Sequence, residues 1–235
     1  MAVNEFYGLE KLSLVDFEGK IVCTLFTNLC NFRCPYCHNS SLVLNSDELD
    51  YVTKEEYLSY LKIRKGVLDA VVISGGEPTL MPDLIDRIKE IKELGYLVKL
   101  DTNGSNFNML KKLVEEHLID YVAMDIKNSL EFYSQTVGVK LNNSVTNNIL
   151  QSIDYLKSGV IDYEFRTTLV DELHNEITIE KMGKLIKDAK IIYLQHFIDH
   201  GTCIKQGLHA VEKEKALEYK CLLEKYVTNV RLRGY

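Results

Sequence analysis

The sequence predicts an α/β fold, a partial (β/α)6 TIM-like barrel of parallel strands. Six short apolar segments rich in β-branched residues alternate with helical patterns. This alternation favours parallel strands joined by right-handed crossovers. Six strand–helix pairs are two short of a full (β/α)8 barrel, so we expect a partial one. With 235 residues, 46% of them hydrophobic, the chain fits one large domain. We predict a single domain over 1–235, with its core at about 13–200 and a C-terminal helix at about 209–226.

The strands are recognised by their composition and by the turn-forming residues that follow them. The six predicted strands are KIVCTLFT (20–27), DAVVIS (69–74), YLVKLD (96–101), DYVAMDI (120–126), DYEFRTTLV (162–170) and IIYLQHF (191–197).

Helix starts and stops are marked by capping residues. Thr53 with Glu56 three residues later predicts a capping box that opens a helix at 54–65. Pro82 is predicted to start the next helix, because a missing N–H costs nothing in the first turn, and Gly95 to end it. Further helices are predicted at about 108–117, 144–157, 178–189 and 209–225.

Charge and hydropathy exclude several classes of partner. The net charge is −6 and the sequence pI is about 5.6, which argues against a nucleic-acid partner. The first twenty residues lack the basic and apolar regions of a signal peptide, and the sequence contains no run of 18 apolar residues that could span a membrane. We therefore expect a cytoplasmic protein, in which clustered cysteines indicate metal or redox chemistry rather than disulfides.

Residues capable of chemistry follow the predicted strands at their carboxyl ends, which is the working face of parallel α/β barrels. We therefore expect these residues to meet at one mouth of the fold. In chain order they are Cys30, Cys34 and Cys37, then SGGEPT (74–79), DTNG (101–104), DIK (125–127), Arg166 and His196.

The three cysteines allow two kinds of metal site. A zinc site would need a fourth ligand such as His38 or Cys23, but adjacent residues such as Cys37 and His38 rarely both reach one small ion. A 4Fe–4S cluster takes one thiolate per iron, so Cys30, Cys34 and Cys37 would leave the fourth iron open. We favour the cluster, and a non-catalytic zinc-binding module remains the alternative from another class.

The motif CNFRCPYC (30–37) followed by SGGEPTL resembles the radical S-adenosylmethionine (SAM) superfamily. Together with SLVDFEGK, DTNG, MDIK, YEFRTTLV…LH and YLQHF, it resembles more narrowly the activating enzymes of glycyl radical enzymes. Among these, the chain is most similar to the activating proteins of anaerobic ribonucleoside-triphosphate reductase. It departs from the common pattern at Leu29, where a glycine commonly precedes the first cysteine, and at Glu18-Gly19, where PG is frequent.

The resemblance implies a radical SAM fold and a set of cofactor contacts. Cys30, Cys34 and Cys37 would bind three irons of one 4Fe–4S cluster, with SAM on the fourth. The residues implied to bind SAM are Tyr36, His38, Gly75, Gly76, Glu77, Thr102, Asn103, Asp125, Lys127, Arg166 and His196.

Different parts of SAM are assigned to different residues. Tyr36 fills the aromatic position beside adenine, and His38 is a second candidate for that pocket. Lys127 and Arg166 would complement the SAM carboxylate. By the same resemblance, Asp101 and Asp125 would also hold a monovalent cation. Taken alone, GGEP and DTNG are equally typical of ordinary turns, and His196 of a core residue.

The resemblance also implies the reaction. An electron from flavodoxin or ferredoxin reduces the cluster, SAM is cleaved to methionine and a 5′-deoxyadenosyl radical, and the radical takes a hydrogen atom from a glycine of a partner enzyme. The predicted partner is an anaerobic ribonucleotide reductase. No side chain is needed as acid, base or nucleophile. A radical SAM enzyme that acts on a small molecule, such as a 7-carboxy-7-deazaguanine synthase, or on another protein or peptide is the alternative.

Overall fold

The computed structural model describes residues 5–44 and 50–235, and the chain divides into two compact units. The first unit comprises Met1–Asn31, Ser41–Thr102 and Asn106–Val122, and the second comprises Phe32–Ser40, Asn103–Ser105 and Ala123–Tyr235. The prediction of a single domain stays a prediction.

Strands and helices alternate along the chain, as predicted. Within residues 5–44 and 50–235 there are eight strands, β1 (Gly8–Ser13), β2 (Val22–Thr27), β3 (Ala70–Gly75), β4 (Leu97–Thr102), β5 (Tyr121–Asp125), β6 (Asp162–Leu169), β7 (Ile191–His196) and β8 (Asn229–Arg233). The same residues form eight α-helices, α1 (Ser40–Leu44), α2 (Lys54–Ile63), α3 (Leu84–Glu93), α4 (Phe107–Glu115), α5 (Leu130–Thr136), α6 (Asn143–Lys157), α7 (Glu176–Leu185) and α8 (Lys213–Leu223).

In the first unit, β2, β3 and β4 are parallel neighbours, and β1 pairs antiparallel with β2. Small and β-branched side chains let these strands pack closely, and Val22, Ala70 and Val72 are fully buried together. Phe17 and Leu97 pack against this cluster. The parallel register brings the carboxyl ends of β2 and β3 side by side.

In the second unit, β6, β7 and β8 are parallel neighbours. Their register sets Arg166 opposite Tyr193 and Leu169 opposite His196. Strand β5 lies at the boundary between the units, with its last three residues in the second. On that side, the Ile126 N–H donates to the Arg166 carbonyl at 2.8 Å, so the carboxyl end of β5 lies beside the interior of β6.

The six predicted strands are all present within a residue or two of their expected bounds. The capping box of Thr53 and Glu56 is formed at α2, and Gly95, with φ of +90°, follows the end of α3 as predicted. The predicted start of α3 was wrong, because Pro82 lies in the preceding turn and the helix begins at Leu84. No helix in the described part of the chain is long and apolar enough to cross a membrane.

Four elements were not predicted from the sequence. Strand β1 has mostly exposed or half-buried residues, and β8 buries just Val230. Both lack the continuous apolar runs that mark strands covered on both faces. Helices α1 and α5 have five and seven residues, too few to display a helical period.

Candidate active site

Cys30 follows β2 in a loop that is fastened to the loop after β3. The Gly76 N–H donates to the Thr27 carbonyl at 2.9 Å, and the Glu77 N–H donates to the Leu29 carbonyl at 2.7 Å. Leu29, directly before Cys30, has φ of +58°, a left-handed conformation that is costly for a residue with a Cβ. The backbone that carries Cys30 is therefore held by main-chain contacts on both sides of Leu29.

Gly75 and Gly76 are required by this close approach. A methyl group built on Gly76 would lie 1.8 Å from the Leu29 carbonyl oxygen, and one on Gly75 would lie 2.3 Å from the Thr27 carbonyl oxygen. Gly75 also has φ of +114°, which residues other than glycine rarely adopt. Both glycines thus serve the packing of one protein loop on another, and their contact with SAM stays a prediction.

Glu77 is buried and ties the ends of β3 and β4 together. Its Oε1 accepts hydrogen bonds from the Thr79 N–H at 3.1 Å, from the Thr79 hydroxyl at 2.5 Å and from the Thr102 hydroxyl at 2.7 Å. Pro78 begins a short 3₁₀ turn, and the Glu77 carboxylate caps that turn. The structure therefore brings Glu77 and Thr102 together, and the two side chains are hydrogen-bonded to each other.

Asp101, at the end of β4, faces a buried ammonium group. The Lys99 Nζ lies 3.7 Å from Asp101 Oδ1, and the Ser74 hydroxyl donates to Asp101 Oδ2 at 3.2 Å. Lys99 is 2% exposed and its Nζ lies over the rings of Phe17 and Tyr121, at 5.6 and 5.7 Å from their centroids. A monovalent cation at Asp101 would share this carboxylate with Lys99, and the predicted cation stays a prediction.

Cys34 and Cys37 lie in one tight turn of the second unit. The Cys37 N–H donates to the Cys34 carbonyl at 3.0 Å, and Cys30, Cys34 and Cys37 are not in disulfide bonds. Burial raises the pKa of both turn cysteines, and the positive charge of Lys127 opposes that rise. Within the described residues, no group of three or more His, Cys, Asp and Glu side chains is arranged as a metal site. Cluster ligation therefore rests on the cysteine spacing and on the absence of disulfide bonds at these three residues.

Asp125, Lys127 and Arg166 form an ion-paired triad where the end of β5 lies beside the interior of β6. The Lys127 Nζ donates to Asp125 Oδ2 and the Arg166 Nε donates to Asp125 Oδ1, both at 3.0 Å. The side chains of Lys127, Asp125 and Arg166 are 17%, 26% and 13% exposed. Burial raises the pKa of Asp125, but the two cations outweigh it and hold that pKa below its usual range. The three groups together carry a net charge of +1.

Tyr36 lies between this triad and an aromatic cluster. The Lys127 Nζ lies 5.9 Å from the centroid of the buried Tyr36 ring, and Phe197 meets that ring edge-on at 6.5 Å. His38 stacks on Phe197 at 5.5 Å with an interplanar angle of 7°, and His200 contacts His38 at 5.9 Å. His38 therefore packs within the protein's own rings, and its contact with adenine stays a prediction.

His196 is the last residue of β7, and Asn103 follows β4. The His196 Nδ1 is buried without a hydrogen-bond partner, and the Tyr235 ring lies edge-on at 4.7 Å. The buried Asn103 Oδ1 accepts from the Ser105 N–H at 2.9 Å, which is an Asx turn. Neither observation tests their predicted contacts with SAM.

Sequence reasoning missed several buried polar residues around the triad. His174 uses both ring nitrogens in hydrogen bonds to backbone atoms. Asn128 donates to the Leu173 carbonyl at 2.9 Å, and the Tyr133 hydroxyl lies 3.4 Å from the Lys127 N and from the Asp125 carbonyl oxygen. The available signal was their position beside the motifs, since Asn128 directly follows DIK.

The structure gathers the predicted residues in two groups. The first unit brings together Gly75, Gly76, Glu77, Asp101 and Thr102. The second unit brings together Cys34, Tyr36, Cys37, Asp125, Lys127 and Arg166. The expected meeting of all six strand ends at one mouth stays a prediction.

Comparison with known proteins agrees with the motifs. The chain is 34% identical over 230 residues to a Methanocaldococcus jannaschii protein named as a glycyl-radical enzyme activating enzyme, covering 96% of this chain and 94% of that protein. It is 28% identical over 226 residues to the pyruvate formate-lyase-activating enzyme of Clostridium pasteurianum, covering 94% and 90%. The resemblance to the activating enzymes of glycyl radical enzymes is thereby confirmed, and the likeness to the reductase branch stays a prediction.

Solved structures support the same fold. A domain of a pyruvate-formate lyase-activating enzyme from Bacteroides vulgatus matches with a TM-score of 0.55 and 19% identity, covering 70% of this chain and 99% of that one. A radical SAM methyltransferase from Sphaerobacter thermophilus matches with a TM-score of 0.68 and 13% identity, covering 93% and 68%. At these identities the likeness shows the fold alone, and it confirms the predicted α/β class.

The family model of the radical SAM superfamily matches residues 24–189, which include the cysteine motif and the strand ends described above. Family membership implies a 4Fe–4S cluster and SAM as cofactors. The chain belongs to the radical SAM superfamily and is a radical SAM enzyme.

Proposed function

We propose that this protein is an activating enzyme that installs a glycyl radical on a partner enzyme, with an anaerobic ribonucleotide reductase as the partner and flavodoxin or ferredoxin as the electron donor. The names of its relatives support the activase role. The set of motifs from SLVDFEGK to YLQHF supports the choice of reductase. We also propose a cytoplasmic location, since a low-potential electron donor and cysteines outside disulfide bonds belong to a reducing compartment.

Three cysteines outside disulfide bonds suit a site that leaves one iron open. In the proposal, Cys30, Cys34 and Cys37 hold a 4Fe–4S cluster. When bound, that cluster supplies the electron that cleaves SAM to methionine and a 5′-deoxyadenosyl radical. Because burial keeps the thiols of Cys34 and Cys37 protonated, binding the cluster releases protons, and the nearby Lys127 cation favours the thiolates.

The observation that carries the SAM-binding part is the triad of Asp125, Lys127 and Arg166. Two cations, one just after β5 and one within β6, share the Asp125 carboxylate, so the group has a net charge of +1. An amino acid carboxylate complements that charge, and the methionine part of SAM has one. Lys127 also lies over the Tyr36 ring, so the same unit offers an aromatic contact beside the cation.

The remaining residues position the cysteines. The backbone contacts of Gly76 and Glu77 hold the loop that carries Cys30. The Arg33 N–H donates to the Val137 carbonyl at 2.8 Å, and a methyl group built on Gly138 would lie 2.1 Å from the Arg33 carbonyl oxygen. In the proposal, these contacts restrain the backbone beside Cys30 and beside Cys34, which lowers the entropic cost of binding the cluster.

A second candidate partner follows from one comparison. The Clostridium pasteurianum relative is named for pyruvate formate-lyase, and it aligns over 90% of its own length. A pyruvate formate-lyase therefore ranks second as the partner, and both partners belong in the test.

The test is anaerobic purification with cluster reconstitution, followed by iron analysis and measurement of 5′-deoxyadenosine after reduction in the presence of SAM. We expect about four iron atoms per chain and production of 5′-deoxyadenosine. Replacement of Cys30, Cys34 and Cys37 by alanine should abolish both. The exposed Cys221→Ala serves as the matched control and should change neither.

Partner identity is then read by electron paramagnetic resonance after mixing with each candidate enzyme. A glycyl radical signal in the ribonucleotide reductase supports the proposal, and a signal confined to pyruvate formate-lyase assigns the second partner. A colourless protein with one zinc and no cleavage of SAM would establish the zinc-binding module instead. Cleavage of SAM with a radical in neither enzyme would favour a small-molecule or peptide substrate.

A further inference from the structure

His174 lies in the turn after β6, is 1% exposed, and uses both ring nitrogens. Nδ1 lies 3.1 Å from both the Val170 N and the Val170 carbonyl oxygen, and Nε2 lies 3.1 Å from the Lys127 carbonyl oxygen. In the neutral ring a proton on Nε2 satisfies both sides, since Nε2 then donates to the Lys127 carbonyl and Nδ1 accepts from the Val170 N–H. Burial lowers the pKa of His174, which favours this neutral form. The imidazole therefore links the turn after β6 to the backbone of Lys127.

A second hydrogen bond joins the same two turns. The Asn128 amide donates to the Leu173 carbonyl at 2.9 Å. Asn128 directly follows Lys127 and Leu173 directly precedes His174, so this bond lies next to the one between His174 and Lys127. From α8, the Tyr219 hydroxyl donates to the His174 carbonyl at 3.1 Å. The two turns are thus joined at neighbouring positions, and His174 is itself held by a helix.

Lys127 needs such support because its side chain is long and flexible. A lysine side chain has four rotatable bonds and loses much rotamer freedom when its ammonium group is held in place. The ammonium group is held at Asp125, 3.0 Å away, but the direction from which it reaches Asp125 is set by its own backbone. A hydrogen bond that holds the Lys127 carbonyl therefore also fixes the backbone position from which the side chain extends.

We propose that His174 is a positioning residue, which holds the Lys127 main chain so that the ammonium group meets the carboxylate of the bound ligand. This inference rests on the proposed function, because it assumes that Lys127 binds the SAM carboxylate. It goes further in assigning carboxylate recognition to an imidazole that does not itself contact the ligand.

Two substitutions separate the two hydrogen bonds of the imidazole. His174→Gln places an amide N–H donor near the Nε2 position and keeps the bond to Lys127, while His174→Asn places an acceptor near the Nδ1 position and keeps the bond to Val170. Each variant keeps one polar contact and loses the other. Their folding defects should therefore be similar, and their effects on Lys127 should differ.

The readout compares two ligands on the anaerobically reconstituted enzyme, measured by isothermal titration calorimetry. S-adenosylhomocysteine carries the amino acid carboxylate, and 5′-methylthioadenosine lacks it. In the wild type we expect tighter binding of S-adenosylhomocysteine. His174→Asn should reduce that preference about fivefold to tenfold, the worth of about one hydrogen bond, and His174→Gln should keep it within about twofold. Lys127→Met, which removes the ammonium group, should abolish the preference.

The outcomes distinguish this inference from the proposed function. A wild type without preference for the carboxylate ligand overturns the proposed role of the triad, and this inference with it. A preference that Lys127→Met abolishes but His174→Asn leaves intact supports the triad and overturns the role of His174. Equal losses in the Asn and Gln variants overturn it too, since the bond to Lys127 would then not matter.

If His174→Asn does not fold, Tyr219→Phe supplies the same readout with a milder change. It removes one hydroxyl that holds the His174 carbonyl. We expect the preference for S-adenosylhomocysteine to fall about twofold while binding of 5′-methylthioadenosine is unchanged. An unchanged preference in this variant overturns the inference.

Discussion

The turn after β3, residues 75–80, and the turn after β5, residues 125–129, both follow a parallel strand and both contain an engaged carboxylate. They are stabilised by different forces. In the β3 turn, Glu77 accepts hydrogen bonds from neutral donors, and glycine backbone packs on the loop of Cys30. In the β5 turn, Asp125 lies between two cations.

The comparison teaches that a carboxylate at a strand end does not by itself mark a ligand site. Glu77 accepts hydrogen bonds from Thr79 and Thr102 and caps its turn. Asp125, with Lys127 and Arg166, leaves a charge of +1 that a ligand carboxylate can neutralise. The first turn should therefore respond to changes of shape, and the second to changes of charge.

The largest effect should come from the shape of the β3 turn. In Gly76→Ala, the new methyl group would lie 1.8 Å from the Leu29 carbonyl oxygen, so one of two backbone segments must move. We expect a loss of about 3 kcal/mol or more in the free energy of unfolding, measured in urea, and loss of iron after reconstitution.

The control is Gly159→Ala, where φ is +79° but a methyl group meets nothing within 4 Å. It should cost about 1 kcal/mol and keep the iron. Similar losses in the two variants would contradict the packing role of Gly76.

The second largest loss of stability should come from removing the Glu77 carboxylate. Glu77→Ala removes an acceptor of three hydrogen bonds in a buried site, and we expect a loss of about 3 kcal/mol in the free energy of unfolding. Glu56 is a matched control, since it also caps a helix start but is exposed. Glu56→Ala should cost about 1 kcal/mol. If Glu77→Ala costs no more than Glu56→Ala, the tie between β3 and β4 is not important for stability.

The β5 turn should show a smaller effect that depends on pH. Asp125→Asn leaves Lys127 and Arg166 without their shared anion, and because the Asp125 side chain is 26% exposed we expect a loss of about 2 kcal/mol at pH 7. The cations hold the pKa of Asp125 below its unfolded value of about 3.9. Its stabilisation is therefore fully present above that pH and is lost as the pH falls through the folded pKa.

The measurement is the difference in unfolding free energy between wild type and Asp125→Asn, taken from pH 7 down to the lowest pH at which both fold. The difference should shrink below about pH 4. Asp162→Asn is the control, because the exposed pair of Asp162 and Lys190 should contribute little at any pH. A difference that is constant with pH would show that the ionised form of Asp125 is not what stabilises the turn.

The sequence predicts where these two turns lie, but it does not predict the different interactions that stabilise them. The six apolar segments predicted the central strands, since their burial on both faces leaves a continuous apolar run. The same argument failed for β1 and β8, whose residues are largely exposed or half-buried. Strand order then places DIK and Arg166 on adjacent strands, so their grouping was predictable.

The partners of each side chain were not predictable. Glu77 was expected to be an acceptor for SAM, yet its Oε1 is engaged by Thr79 and Thr102, the latter from another strand. Lys99 reads as an ordinary polar residue in a strand, and its burial between aromatic rings depends on tertiary packing. His174 lies in the motif YEFRTTLV…LH, but nothing in that motif indicates that its ring binds the backbone of Lys127. Such contacts depend on the relative positions of distant segments, which spacing along the chain does not specify.

The smallest expected effect is an increase in stability at Leu29. This residue has φ of +58° and is 44% exposed, so it bears the strain of a left-handed conformation with little burial in return. Leu29→Gly removes that strain of about 1 kcal/mol, but glycine also gains freedom in the unfolded chain, so we expect a net gain of about 0.5 kcal/mol in urea unfolding. Leu29→Ala keeps a Cβ and hence the strain, and should show no gain.

Since a glycine commonly precedes the first cysteine in related motifs, a gain in the glycine variant alone would show that the departure at Leu29 costs stability without changing the fold of the Cys30 loop. Equal stability in the two variants would mean that the loop does not impose the left-handed conformation.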